Sequence, residues 1–80
     1  MKIELLHIPN CPHVEAARSL LISCLDELRI PALVEEHEVP YPSPTIRVDG
    51  VDVMGEPATA EASCRLDVPT RERVLAALRA

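Results

Sequence analysis

Apolar residues in the first third of the chain change from a nearly continuous run to a helical spacing. Only Glu4 and His7 interrupt the first run, which predicts a strand over residues 2–8, buried at the centre of a sheet. From Val14 onward apolar residues recur every three or four positions, and this helix ends by about Arg29, two residues before a proline. Its apolar face comprises Val14, Ala17, Leu21, Cys24, Leu25 and Leu28.

The next segment predicts an edge strand followed by a stiff connector. Residues 32–39 begin with apolar side chains and then carry the acidic run 35–38. Charged side chains of this kind discourage an edge strand from pairing with other chains. Residues 40–44 include three prolines and predict an extended link to the next strand.

The last part of the chain predicts a hairpin, an irregular arm and a helix. Asp49-Gly50 separates two alternating segments, 45–48 and 51–54, and this dipeptide is a strong hairpin signal. Residues 55–67 are small or polar and predict an arm without regular structure. Thr70 is placed to cap a final helix, whose apolar stripe is Val74, Leu75 and Leu78.

The element order β-α-β-β-β-α predicts one α/β domain over residues 1–80, with a four-stranded mixed sheet and two helices. The first crossover must be right-handed and join parallel strands, while the hairpin adds antiparallel ones. Crossing one strand covers roughly 10 Å, which the five-residue connector can just span when extended. The connector is therefore expected to pass over the end of the first strand.

Composition excludes several classes of protein. The only aromatic residue is Tyr41, and the net charge is −5. A base-stacking nucleic-acid module needs several aromatics, and phosphate binding needs clustered Lys and Arg, so no nucleic-acid partner is expected. No apolar run approaches the ~20 residues of a membrane span, and the start does not resemble a signal peptide. We expect a soluble, cytoplasmic domain with no membrane partner, most simply a monomer.

Three cysteines, an odd number, occur without an export signal, which favours reduced thiols over a disulfide framework. Cys11 precedes Pro12, and proline is favoured at the first position of a helix. The Cys11 sulfur is thus expected near free N–H groups and the positive end of the helix dipole, surroundings that lower the pKa of a thiol. His13 could tune this thiol or act as a further ligand.

Several segments together resemble a minimal thioredoxin-like domain of the glutaredoxin type. They are the first strand, the turn 10–14, Ser43-Pro44-Thr45 and the hairpin around 48–51. The resemblance implies that Pro44 follows a cis peptide bond and lies beside the reactive Cys11. It also implies that the backbone near Pro44 pairs with an extended thiol substrate.

The chain departs from that family because Val14 replaces the second cysteine of a Cys-x-x-Cys motif. Cys24 lies on the apolar face of the helix and is expected to be a buried small hydrophobe. Cys64 lies in the arm and could reach Cys11, with Arg65 stabilising its thiolate. This Ser-Cys-Arg-Leu segment also resembles small bacterial thioredoxin-like proteins often labelled alkylmercury-lyase-related.

Three functions follow from this pattern. In a redox protein Cys11 attacks a protein or small-molecule disulfide, Cys64 resolves the mixed disulfide, and no cofactor is needed. Alternatively, Cys11 and Cys64 hold a soft metal such as mercury or copper as thiolate ligands. A third alternative is a redox-inactive, thioredoxin-like binding module. A ferredoxin-like metal chaperone fits less well, since it needs two cysteines in the first loop and a final strand.

Overall fold

The computed structural model describes residues 1–57 and 61–80. Their order matches the predicted series of strands and helices. The elements are β1 (Ile3–His7), α1 (Val14–Leu28), β2 (Val34–Glu38), β3 (Thr45–Val48), β4 (Val51–Asp52) and α2 (Arg71–Arg79).

The four strands form one mixed sheet in the order β2-β1-β3-β4. β1 pairs with β2 in parallel and with β3 antiparallel, and β3 pairs antiparallel with β4. The predicted α/β architecture, with β1 at the centre and β2 at an edge, is confirmed. The proline-rich connector carries the chain past β1, from one of its neighbours to the other, as its length allows.

The two helices build the core against one face of the sheet. The pairing of β1 with β3 places Ile3 beside Val48 and Leu5 beside Ile46. All four side chains are buried in the main apolar cluster, which α1 and α2 complete. Within the described ranges, no helix has the length and apolar character needed to cross a membrane.

The start of α1 differs from the prediction. The helix begins at Val14 with His13 as its N-terminal flanking residue, so Pro12 lies before the helix rather than at its first position. The backbone N–H of Val14 donates to the Cys11 carbonyl at 3.4 Å, which forms a turn ahead of the first helical bond. Cys11 therefore lies three residues before the helix, in the turn that leads from β1 to α1.

The hairpin turn is as predicted, but its second strand is shorter. Asp49 and Gly50 have positive φ values of 52° and 83°, the combination that a tight two-residue hairpin turn requires. β4 ends at Asp52 because its carboxylate accepts the N–H of Met54 at 2.9 Å and its carbonyl accepts that of Gly55 at 3.0 Å. These bonds turn the chain out of the sheet, and the irregular arm begins.

Candidate thiol site between β1 and α1

Cys11 and Cys64 meet although 53 positions separate them. The Cys64 thiol donates to the Cys11 sulfur with 2.7 Å between the two Sγ atoms. That separation lies within about 1 Å of the disulfide bond length of ~2.05 Å. Both cysteines are free thiols; Cys11 is buried with 9% exposure, and Cys64 is exposed. The arm thus brings Cys64 to Cys11, as the sequence had left open.

The surroundings of Cys11 favour its thiolate. Burial raises the pKa of the Cys11 thiol, but three hydrogen-bond donors that can bind its thiolate outweigh burial and hold this pKa below its ordinary value. The donors are the Cys64 thiol, the Ser43 side chain and the His13 backbone N–H. Negative charge on the pair is therefore expected on Cys11, in the turn between β1 and α1.

Ser43 supplies both an acceptor and a donor for this thiol. The Cys11 thiol donates to the Ser43 carbonyl, with 3.8 Å between sulfur and oxygen. The Ser43 hydroxyl is completely buried and has no hydrogen-bond partner among the described residues. When Cys11 loses its proton, its sulfur becomes an acceptor for this hydroxyl, which explains why the Ser43 side chain lowers the pKa of Cys11.

Cys64 responds in the opposite direction. Its hydrogen bond to Cys11 raises the pKa of the Cys64 thiol, and burial and the nearby Cys11 charge raise it further. The prediction that Arg65 stabilises a thiolate on Cys64 is therefore wrong. The physical reason is that the Arg65 guanidinium is held by other partners, which are Thr45 on β3, Asp52 on β4 and Asp67 in the arm.

Arg65 lies in a buried polar cluster beneath the arm. Its Nη1 donates to Thr45 Oγ1 at 2.8 Å and to Asp52 Oδ2 at 2.9 Å. Its other two nitrogens bind the Asp67 carboxylate in a bidentate pair, at 3.1 and 2.9 Å. Only 3% of the Arg65 side chain and 2% of the Asp52 side chain are exposed, and the two carboxylates raise the pKa of the guanidinium. This cluster fastens the arm to β3 and β4.

The backbone of the arm also pairs with the connector. The Ser43 N–H donates to the Ser63 carbonyl at 2.8 Å, and the Arg65 N–H donates to the Ser43 carbonyl at 2.7 Å. Ser43 and Cys64 thereby form a parallel bridge outside the named strands. Together with the Arg65 cluster, this bridge holds the Cys64 sulfur over Cys11.

The remaining candidate residues occupy distinct places. Pro44 is completely buried next to Ser43, and the Ser43–Pro44 peptide bond is cis, as predicted. His13 is exposed and reaches the site through its backbone N–H. Cys24 is completely buried in α1, where burial raises the pKa of its thiol, so its prediction as a core residue is confirmed.

Sequence reasoning missed the residues that hold the arm in place. Thr45, Asp52 and Asp67 bind Arg65, and the Ser43 hydroxyl faces no other partner. The local pattern indicated the opposite, because in Val51-Asp52-Val53 the Asp alternates with two apolar residues and is expected on the solvent face, yet Asp52 is buried. Its partner lies 13 positions further along the chain, in an arm without periodicity.

Comparison with known proteins adds no family to this description. No protein-family model, curated protein or solved structure matches the chain. In the part of the chain that the structure describes, no group of three or more His, Cys, Asp or Glu side chains is arranged to hold a metal ion.

Proposed function

We propose that this chain is a cytoplasmic thiol–disulfide redox protein of the thioredoxin-like type. The observation that carries the proposal is the 2.7 Å approach of the Cys11 and Cys64 sulfur atoms. The pKa of the Cys11 thiol is lowered and that of the Cys64 thiol is raised, and this difference favours two different roles for the two cysteines. Cys11 supplies the thiolate that attacks, and Cys64 remains a thiol until it resolves the intermediate.

The reaction proceeds by two thiol–disulfide exchanges. The Cys11 thiolate attacks one sulfur of a disulfide R–S–S–R, the bond from Cys11 to that sulfur forms, and RS⁻ leaves. Cys64 then attacks the Cys11 sulfur, its proton passes to solvent, and the second RS⁻ leaves. The two cysteines lose two electrons as their disulfide forms, and the external disulfide becomes two thiols.

Neighbouring groups support Cys11 as the nucleophile of the first step and as the leaving group of the reverse reaction. The His13 N–H and the Ser43 hydroxyl favour negative charge on the Cys11 sulfur. In the reverse reaction the same groups make Cys11 the better leaving group when an external thiolate attacks Cys64, since a thiol with a lower pKa leaves faster. Pro44, completely buried beside Ser43, shapes the wall of the site.

The same two sulfurs make a soft-metal site the second candidate. Two thiolates suit a soft ion such as mercury(II) or copper(I), and the Cys11–Cys64 pair offers both ligands in one place. The two functions differ in their requirement for an oxidant: a redox protein needs one, whereas a metal site loses two reactive thiols when the ion alone is added.

Peptide mapping without reductant tests the proposal. Cleavage after Lys and Arg separates the three cysteines into peptides 3–18, 19–29 and 48–65. After mild oxidation with glutathione disulfide, we expect one linkage, between 3–18 and 48–65, that dithiothreitol reverses. A Cys64→Ser variant should instead carry glutathione on Cys11. If the wild-type protein forms only intermolecular links, or none, the redox proposal fails.

A parallel titration with mercury(II) and copper(I), without oxidant, decides the second candidate. The redox protein is expected to keep its exchange activity with glutathione after a chelator has removed any metal. Stoichiometric loss of the Cys11 and Cys64 thiols on adding metal, together with no exchange activity in the metal-free protein, favours the metal-binding function.

A further inference from the structure

The backbone edge at Ser43 is occupied by the chain itself. A polypeptide that bound as an extra strand beside Pro44 would need free N–H and C=O groups on that edge. Both backbone groups of Ser43 are already paired, with the Ser63 carbonyl at 2.8 Å and with the Arg65 N–H at 2.7 Å. Residues 63–65 therefore lie where such a strand would bind.

The Arg65 side chain makes this occupation hard to reverse. Lifting residues 63–65 off the connector would take Arg65 away from Asp52, and both of these side chains are at least nine-tenths buried. Separating a buried ion pair leaves an uncompensated charge behind. The bidentate pair with Asp67, a residue of the same arm, keeps the guanidinium in the orientation that reaches β3 and β4.

The two cysteines nevertheless keep some surface that a small reactant can contact. Cys64 is exposed, and Cys11 keeps 9% of its surface in contact with solvent. Thiol–disulfide exchange needs only that an incoming sulfur reaches one of these atoms, and it needs no backbone pairing.

We propose that residues 63–65 act as a built-in strand that restricts the site to low-molecular-weight disulfides and thiols, with Arg65 as the positioning residue that sets this specificity. The inference rests on the redox function proposed above. In each turnover a small disulfide becomes two thiols while Cys11 and Cys64 form their disulfide, and two molecules of a small thiol reverse the reaction. Extended polypeptide disulfides are excluded because the edge that would hold them is closed.

Two probes with the same reacting bond test this specificity. In one, 5-thio-2-nitrobenzoate is joined by a disulfide to free cysteine; in the other, it is joined to the central cysteine of an unstructured peptide of about nine residues, long enough to pair as a strand. Release of the coloured thiolate gives the rate of attack by the reduced protein. Each rate is divided by the rate of the same probe with glutathione, which removes intrinsic differences between the probes.

The wild-type protein is expected to discriminate against the peptide by at least about ten-fold after this correction, because its strand-pairing groups are occupied. The double variant Arg65→Met with Asp52→Asn loosens the arm without leaving a buried carboxylate. In this variant the ratio of the corrected rate with the cysteine probe to the corrected rate with the peptide probe should fall towards unity. Arg65→Lys, which keeps the charge next to Asp52, should restore part of the discrimination. Arg71→Met is the matched control: it removes an arginine paired with Glu27 on the helices, and the wild-type ratio should persist.

The outcomes separate this inference from the function on which it rests. If the wild-type protein attacks both probes at equal corrected rates and still forms the Cys11–Cys64 linkage, the redox function stands and the specificity inference is overturned. If neither probe reacts, both are overturned. Should the double variant fail to fold, the wild-type ratio and the Arg65→Lys variant still decide. If hydrogen exchange at the backbone N–H of residue 65 shows a mobile arm in Arg65→Lys while the wild-type discrimination persists, the assigned role of Arg65 is contradicted.

Discussion

Oxidation of the Cys11–Cys64 pair should stabilise the folded protein strongly. The two cysteines are 53 positions apart in the sequence, so a bond between them closes most of the chain into one loop. In the chain-entropy description, a loop of ~53 residues removes enough freedom from the unfolded state to stabilise the fold by about 4 kcal/mol. The folded state loses little in return, because its two sulfur atoms already lie side by side.

Equilibrium unfolding in guanidinium chloride measures this effect. A Cys24→Ala background prevents the third thiol from exchanging in the unfolded chain. We expect the oxidised protein to exceed the reduced one by about 4 kcal/mol in free energy of unfolding. For a domain of this size, that difference corresponds to a melting temperature roughly 15–30 °C higher.

The control is Cys64→Ser in the same background, which should unfold identically with and without reductant. A gain well below ~1 kcal/mol in the cross-linked protein, far under the chain-entropy value, would refute the reasoning. It would mean that the native fold must distort to join the sulfurs, so that the arm does not hold Cys64 over Cys11.

Three further predictions concern single side chains. Iodoacetamide near neutral pH should modify Cys11 at least about ten-fold faster than Cys24, because Cys24 is completely buried and the pKa of its thiol is raised. Mass spectrometry measures the two rates, and equal rates would contradict an activated Cys11. Cys64→Ala should raise the pKa of Cys11, since it removes a hydrogen bond that lowers this pKa. Ultraviolet titration of the thiolate measures the shift, and an unchanged or lower pKa of Cys11 would count against that hydrogen bond. Leu21→Ala should cost about 3 kcal/mol of unfolding free energy, whereas Leu33→Ala, at a side chain that is 90% exposed, should cost less than about 0.5 kcal/mol. Similar losses of unfolding free energy in the two variants would mean that Leu21 is not part of the core.

The elements that the sequence predicts well are those whose signals are local. Asp49-Gly50 specifies a tight turn through the backbone freedom of two adjacent residues, and the turn forms where expected. Thr70 accepts the N–H of Arg73 at 3.3 Å, three residues away, and α2 begins at the next residue. The burial of Cys24 follows from its place on the apolar face of α1.

Less well predicted are positions where two local preferences compete. Pro12 is acceptable either within the first turn of a helix or just before it, and the turn closed by the Cys11 carbonyl selects the second arrangement. β4 has the alternation of a longer strand, but the Asp52 carboxylate bonds to the backbone two residues on and ends the strand early. In both cases a hydrogen bond between residues close in the sequence decides where the helix begins or the strand ends.

The sequence alone determined the order of the elements, the mixed sheet, the hairpin, and the place of Cys11 between β1 and α1, because periodicity and turn residues act over a few positions. Only the tertiary structure decided that Cys64 lies on Cys11, that Ser43 pairs with the arm, and that Arg65 binds β3 and β4 rather than its neighbouring thiol. The contacts that decide these points join residues 13 to 53 positions apart. They depend on which groups remain unpaired when the chain is compact, and no local pattern records that competition.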